Sequence, residues 1–348
     1  MQDRGLDTST DAVIAALEAF DREAFGEAMQ ELARATPRSR PDEVATALTR
    51  LAPVLERLPI GVGGHLAQLT GSMVDFGGTP DLVLPVLVDR ACEALEAAAR
   101  FRVLHEKAYG EVPAPDDHER IPATIERFVE GADAHGLSDV EGQALVEAWF
   151  TGEHWVQPVL YLAQRRDVRA ALPQRDRLTA AVEATRDHLE TAGWLHGLLL
   201  VLDDAPLIVL HRESGRGFEV TISGIGDNFQ LHTLLTAALM GGDRGLPGER
   251  PSEEEIAAAT DGPELEPEGG MIGRVNLVDG EGTWIWNEGR PADIPVYDGA
   301  RVVVLDPPPY RRTWSTGRPY PLMVPSVTAE ELPAAEAARW LSRVKPAA

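Results

Sequence analysis

Near residue 192 the spacing of apolar side chains changes, and that change constrains the fold more than any other feature of the sequence. Before it, Ala, Leu, Glu and Arg dominate, and apolar residues recur at helical intervals. Val13, Leu17, Phe20 and Ala24 define one stripe, with Asp11 placed to cap it, and Val44, Leu48, Leu51 and Leu55 define the next, with Asp42 after Pro41 as its start signal. Further helices are predicted over 62–74, 80–107, 121–134, 138–149, 154–166 and 174–190. Prolines 37, 41, 59, 80, 113, 122 and 173 fall at or near the joints, where a missing amide donor is tolerated. Short connections between helices of this length imply antiparallel neighbours. No repeat period is clear enough for a solenoid. The reading for 1–192 is an all-helical domain, a bundle or an irregular stack of helical hairpins.

After residue 192 the period shortens. Trp194 to Leu202 and Pro206 to His211 are apolar runs separated by Asp203-Asp204-Ala205, and Arg216 to Ser223 alternates, with Phe218, Val220 and Ile222 on one side. Three such strands in succession predict an antiparallel meander. Strands are also expected at 271–278, 283–287 and 300–306, and a last helix at 328–343, opened by the capping-box pattern Thr328-Ala-Glu-Glu331. The domain at 193–348 therefore reads as α+β with a mainly antiparallel sheet, and the chain overall as α+β. Inside it, about 241–270 forms a long connection rich in glycine, proline and acid. From Asp243 to Glu268 it carries nine acidic and two basic residues. A mobile connection is expected there, interrupted by a short helix from Ser252 to Ala259.

Charge and cysteine content set exclusions. The 32 basic and 56 acidic residues give a net charge of −24, a field that repels phosphate backbones and anionic lipid. Neither nucleic acid nor membrane is an expected partner. No apolar leader follows the charged first residues, and no stretch approaches the length of a membrane span. The expectation is a cytoplasmic protein. The single cysteine, Cys92, excludes an intrachain disulfide and a multi-cysteine metal site. It lies on the apolar side of a predicted helix, where packing is the simpler role. The five arginines 165, 166, 169, 175 and 177 form a basic cluster that would neutralise the acidic connection. No cofactor is expected.

Three places could carry chemistry. The first is the stretch from Thr221 to Leu239, which passes from a strand through Gly224-Ile-Gly226 into a helix. Helix amides at a glycine turn can hold an anion, but this turn lacks the third glycine and the Lys-Ser/Thr of nucleotide loops, and Asp227 would repel a phosphate. Asp227 or Asn228 suits a helix cap. His232, one turn beyond Asn228, could work with Asp227 in acid–base chemistry if the two lined a pocket. The second is His211 with Glu213, two apart on a predicted strand and so facing one way; a third metal ligand is not identifiable, and no metal is assigned.

The third is the aromatic–arginine chemistry of the C-terminal region. Trp284 and Trp286 would share a face of the strand predicted at 283–287. From Pro307 to Pro321 there are three arginines and no acids, and Tyr310, Trp314 and Tyr320 interleave with Arg311, Arg312 and Arg318. Large rigid aromatics beside directed guanidinium donors characterise binding hot spots. Alternatively, the aromatics pack on their own domain, with the arginines answering Glu281 or Glu288. Taken together these features predict a protein- or peptide-binding accessory protein that uses Trp284, Trp286, Tyr310, Arg311, Arg312, Trp314 and Arg318. The alternative is an enzyme acting on a small anionic substrate, with Arg311 or Arg318 holding the anion and His232 and Asp227 transferring protons.

Overall fold

The computed structural model describes residues 5–241, 245–266 and 271–347, and it divides the chain into two compact units that meet between Leu199 and Leu200. The first unit is helical. Its helices are α1 (Leu6–Glu18), α2 (Arg22–Ala35), α3 (Pro41–Leu55), α4 (Ile60–Met73), α5 (Leu84–Tyr109), α6 (Ile121–Glu130), α7 (Asp139–Thr151), α8 (Glu153–Leu162), α9 (Arg166–Ala170), α10 (Arg175–Glu183) and α11 (Glu190–Leu199). The 26-residue α5 is the axis of this unit and packs against α7, α8 and α10. Leu87, Val88, Ala91, Cys92, Leu95, Ala98 and Phe101 along it are fully buried. Burial raises the Cys92 thiol to about 11, so it stays protonated and acts as a packing group.

Two expectations in this unit are corrected. The stripe Val13–Leu17–Phe20–Ala24 does not lie on one helix. The chain breaks at Phe20, which takes a left-handed φ of 54° and is 94% exposed, and Asp21 restarts it by accepting from the Ala24 amide at 3.0 Å. Asp11 lies inside α1, whose N-cap is Gly5. Three arginines of the basic cluster make contacts within their own unit. Arg169 is buried and donates to the carbonyls of Ala163 and Gln164, Arg175 donates to those of Arg169 and Leu199, and Arg177 pairs with Glu96 and Asp89.

The second unit is α+β. Strands β1 (Ala205–His211) and β2 (Arg216–Ser223) form a hairpin, followed by α12 (Asn228–Leu239) and α13 (Glu253–Thr260). Then come β3 (Met271–Ile272), β4 (Asn276–Asp279), β5 (Val296–Tyr297), β6 (Ala300–Asp306), β7 (Thr313–Trp314), β8 (Ser326–Glu331) and α14 (Ala334–Leu341). The main sheet runs β4-β6-β1-β2-β8, with β5 also on β6, and β3 and β7 make a separate pair. Every pairing is antiparallel except β1 with β6. Strand alternation divides the core in two. Leu207, Val209, Phe218, Val220, Ile222, Val303 and Leu305 meet Leu231, Leu235 and Leu239 of α12. On the opposite face Leu210, Val278, Val302 and Val304 meet Trp340, Leu341 and Val344 at and after α14.

Three predicted elements differ. Trp194 to Leu199 is the end of α11, not a strand: Leu195, His196, Gly197, Leu198 and Leu199 are all buried, so no polar face marks the helical period. Residues 283–287 form no named strand, although Val278 bridges Trp284 and the Ile285 amide donates to Leu277 O at 2.8 Å. Thr328–Glu331 does not open the last helix. Those residues pair with β2, Thr221 opposite Thr328 and Phe218 opposite Glu331, and the helix begins after Pro333. The acidic connection includes 242–244 and 267–270, which lie outside the described residues. Its described part is docked: Ser252 caps α13, Ala258 and Ala259 are buried, and Leu265 bridges Thr316.

Candidate functional site

The turn into α12 is filled by the protein itself. Gly224 adopts φ +64°, and a Cβ there would lie 2.6 Å from the Val324 carbonyl oxygen. At Gly226 it would lie 2.3 Å from Pro319 Cγ. These glycines admit the 319–324 segment, not a phosphate. The Asp227 carboxylate accepts from the Gln230 amide at 2.8 Å, and the Gln230 side chain accepts from the Gly226 amide at 2.9 Å while donating to Ala259 O at 2.8 Å. The helix amides that could have held an anion are thus answered within the protein, Asn228 by Gly289 O at 2.9 Å, Phe229 by Asn287 O at 3.1 Å and Gln230 by Asp227. Burial raises Asp227 from 3.8 to about 6, against the lowering effect of its amide donors, and Glu288 adds repulsion.

His232 has no exposed surface. Its Nε2 accepts from the Val275 amide at 3.4 Å, which leaves the proton of the neutral ring on Nδ1, and Nδ1 has no partner among the described residues. The ring meets Trp314 edge-on with centroids 5.0 Å apart. Burial, reinforced by Arg312 and Arg274, lowers its pKa from 6.5 to about 3. Asp227 is engaged as a cap and His232 as a core group, so the structure does not bring the two together as a proton-transfer pair. His211 ends β1, and its Nδ1 lies 2.8 Å from Ser214 Oγ; Glu213 sits in the following turn and does not share a strand face with it. Among the described residues no three His, Cys, Asp or Glu side chains are placed to hold a metal.

The aromatic–arginine segment divides into buried and exposed members. Trp314 is buried and Tyr320 is buried. Arg312 donates to Asn276 Oδ1 at 3.1 Å and lies over the Trp314 ring at 5.9 Å. Arg318 binds the carbonyls of Thr260 and Gly262, closing the C-terminal end of α13. Glu281 pairs with Lys345 rather than with these arginines. What remains outside is Trp286, 68% exposed, Tyr310, 57% exposed, Arg311, also exposed, and the half-buried Trp284. The Trp284 and Tyr310 rings lie 6.5 Å apart. Trp284 rests on the α14 side of the sheet among Val278 and its neighbours. The Trp286 carbonyl accepts from Asn228 Nδ2 at 2.8 Å, which anchors its loop to α12.

Two groups that sequence pattern does not single out complete this region. Asn287 is buried, its carbonyl accepts from the Phe229 amide at 3.1 Å, and its side-chain oxygen has no partner among the described residues. Arg274 forms a buried pair with Glu255 at 2.9 Å. Neither lies in a recognisable motif, because each partner is brought in from a distant segment. Among the described residues no helix is long and apolar enough to cross a membrane. The second unit is thus α+β, with Trp286, Tyr310 and Arg311 exposed on its surface, on a chain with a helical unit before it. Comparison with known protein families, with curated proteins and with solved structures found no match.

Proposed function

We propose that this is a cytoplasmic accessory protein that binds a protein or peptide partner through the exposed part of the aromatic–arginine segment. The observation that carries this reading is Trp286, a tryptophan left 68% exposed on a loop that is itself tied to α12. A large rigid ring held out by a fixed backbone loses little conformational freedom on binding, which is why Trp, Tyr and Arg dominate hot spots. Tyr310, Arg311 and Trp284 supply further surface of the same character. Trp314, Arg312 and Arg318 are engaged in packing and hydrogen bonds within the unit. The net charge of −24 argues against a nucleic-acid partner.

The test is affinity purification from the source cells with wild type, Trp286→Ala and Arg311→Ala. Each variant is expected to weaken association by about 1–3 kcal/mol while thermal stability stays within the range of a surface change. A partner retained by both variants as well as by wild type would contradict the assignment.

A further inference from the structure

The helical unit contains a cavity of about 510 Å³ where the end of α5, the 110–115 loop, α7 and the turn before α11 come together. Its volume is within the range of small-molecule sites, about 300–1,000 Å³. The floor is Trp149, 3% exposed, and the wall is the loop carrying Pro113 and Pro115. That wall is fixed, because Trp149 Nε1 donates to the Pro113 carbonyl at 2.9 Å. His188 closes one side, its ring centroid 6.2 Å from that of Trp149. Both signs of charge reach the rim: Arg102, Glu106 and Glu111 all line the cavity. Arg102 pairs with Glu106 at 3.3 Å, with side chains 27% and 62% exposed, so both charged heads stand at the open rim.

We infer that this cavity binds a small zwitterion with an apolar or aromatic side chain, of the class of a free α-amino acid. A carboxylate would meet the Arg102 guanidinium and the His188 ring, an ammonium would meet Glu106 and Glu111, and the side chain would lie against Val112, Ala114 and Pro115 of the loop. The competing ligand classes fit less well. A phosphorylated ligand meets two carboxylates, a simple cation meets Arg102, and a plain hydrocarbon would strip water from charged groups without replacing its hydrogen bonds. Only a ligand with both charges and an apolar arm answers all the lining groups.

The test uses the full chain in calorimetric titration with L-phenylalanine and L-leucine. The comparison ligands are 3-phenylpropionate, which lacks the ammonium, and 2-phenylethylamine, which lacks the carboxylate. Saturable binding of an amino acid is expected, with each single-charge analogue weaker by about tenfold or more, the worth of one charged hydrogen bond. Arg102→Gln and Glu106→Gln are expected to weaken amino-acid binding by about the same factor. Absence of saturable binding by either amino acid overturns the inference. So does equal binding of a single-charge analogue, or wild-type affinity in both variants. Should a variant fail to fold, the analogue comparison on wild-type protein decides the matter alone.

Discussion

Asp227 combines two opposed environments. Its carboxylate caps α12, which favours the charged form, while burial favours the neutral form and wins, lifting the group to about 6. A carboxyl raised in the folded state contributes stability that is complete below its ordinary value of 3.8 and is lost as pH climbs through about 6. A shift of this size corresponds to on the order of 2–3 kcal/mol. Asparagine caps as well as aspartate but cannot ionise. Asp227→Asn is therefore expected to be more stable than wild type at pH 8 by up to that amount, and equal to it near pH 3.5. Denaturant titrations across that window check this, and a variant less stable at pH 8 would show that the ionised carboxylate is favoured where it sits. The cap itself was legible, because capping is local and the spacing Asp227 to Gln230 is enough to see it. The burial was not. Pro319 and Tyr320 come from about ninety residues downstream, and only the fold brings them to the turn. The same holds for Trp314, whose composition resembles a surface hot spot but whose ring packs edge-to-face with His232.

At the scale of elements, α13 shows how an acidic segment can be structured rather than loose. Glu255 closes the capping box by accepting from the Ser252 amide at 2.6 Å and also pairs with Arg274. Both side chains of that pair are about 10% exposed. Removing one partner leaves a buried charge unmatched, which costs about 3–5 kcal/mol. Glu255→Ala is expected to lower the unfolding free energy of the α+β unit by that amount and to open Glu253–Thr260 to protease. Urea denaturation with mass mapping of early cleavage sites measures both, and a loss under about 1 kcal/mol would mean the pair does not hold α13. Helix α13 was readable because Ser252 and Glu255 stand in the capping-box spacing. The same spacing at Thr328 and Glu331 misled, since the β2 edge captured that backbone first. Helix α11 was hidden for a different reason: the five consecutive buried residues Leu195–Leu199 erase the polar stripe on which helical periodicity depends.

At the scale of the molecule, the change in apolar spacing marks a real change of architecture, from helices to a mixed sheet with helices on both faces. The residue at which it happens was less legible, because α11 carries apolar composition up to Leu199. Each unit has a hydrophobic core of its own, so fragments 1–199 and 200–348 are each expected to unfold in one cooperative transition. Calorimetry of the two fragments checks this, and a 200–348 fragment without tertiary circular dichroism would contradict it.

The functional claim rests on Trp286 facing a partner, and site-specific photocrosslinking tests it most directly. Benzoylphenylalanine is placed at position 286 in one protein and at position 194 in another, since Trp194 is also exposed, at 45%, but belongs to the helical unit. Both proteins are irradiated in the source cells. The account predicts a discrete covalent adduct from position 286, lost when Arg311→Ala is added, and none of that size from position 194. No adduct at 286, or the same adduct from both positions, would contradict it.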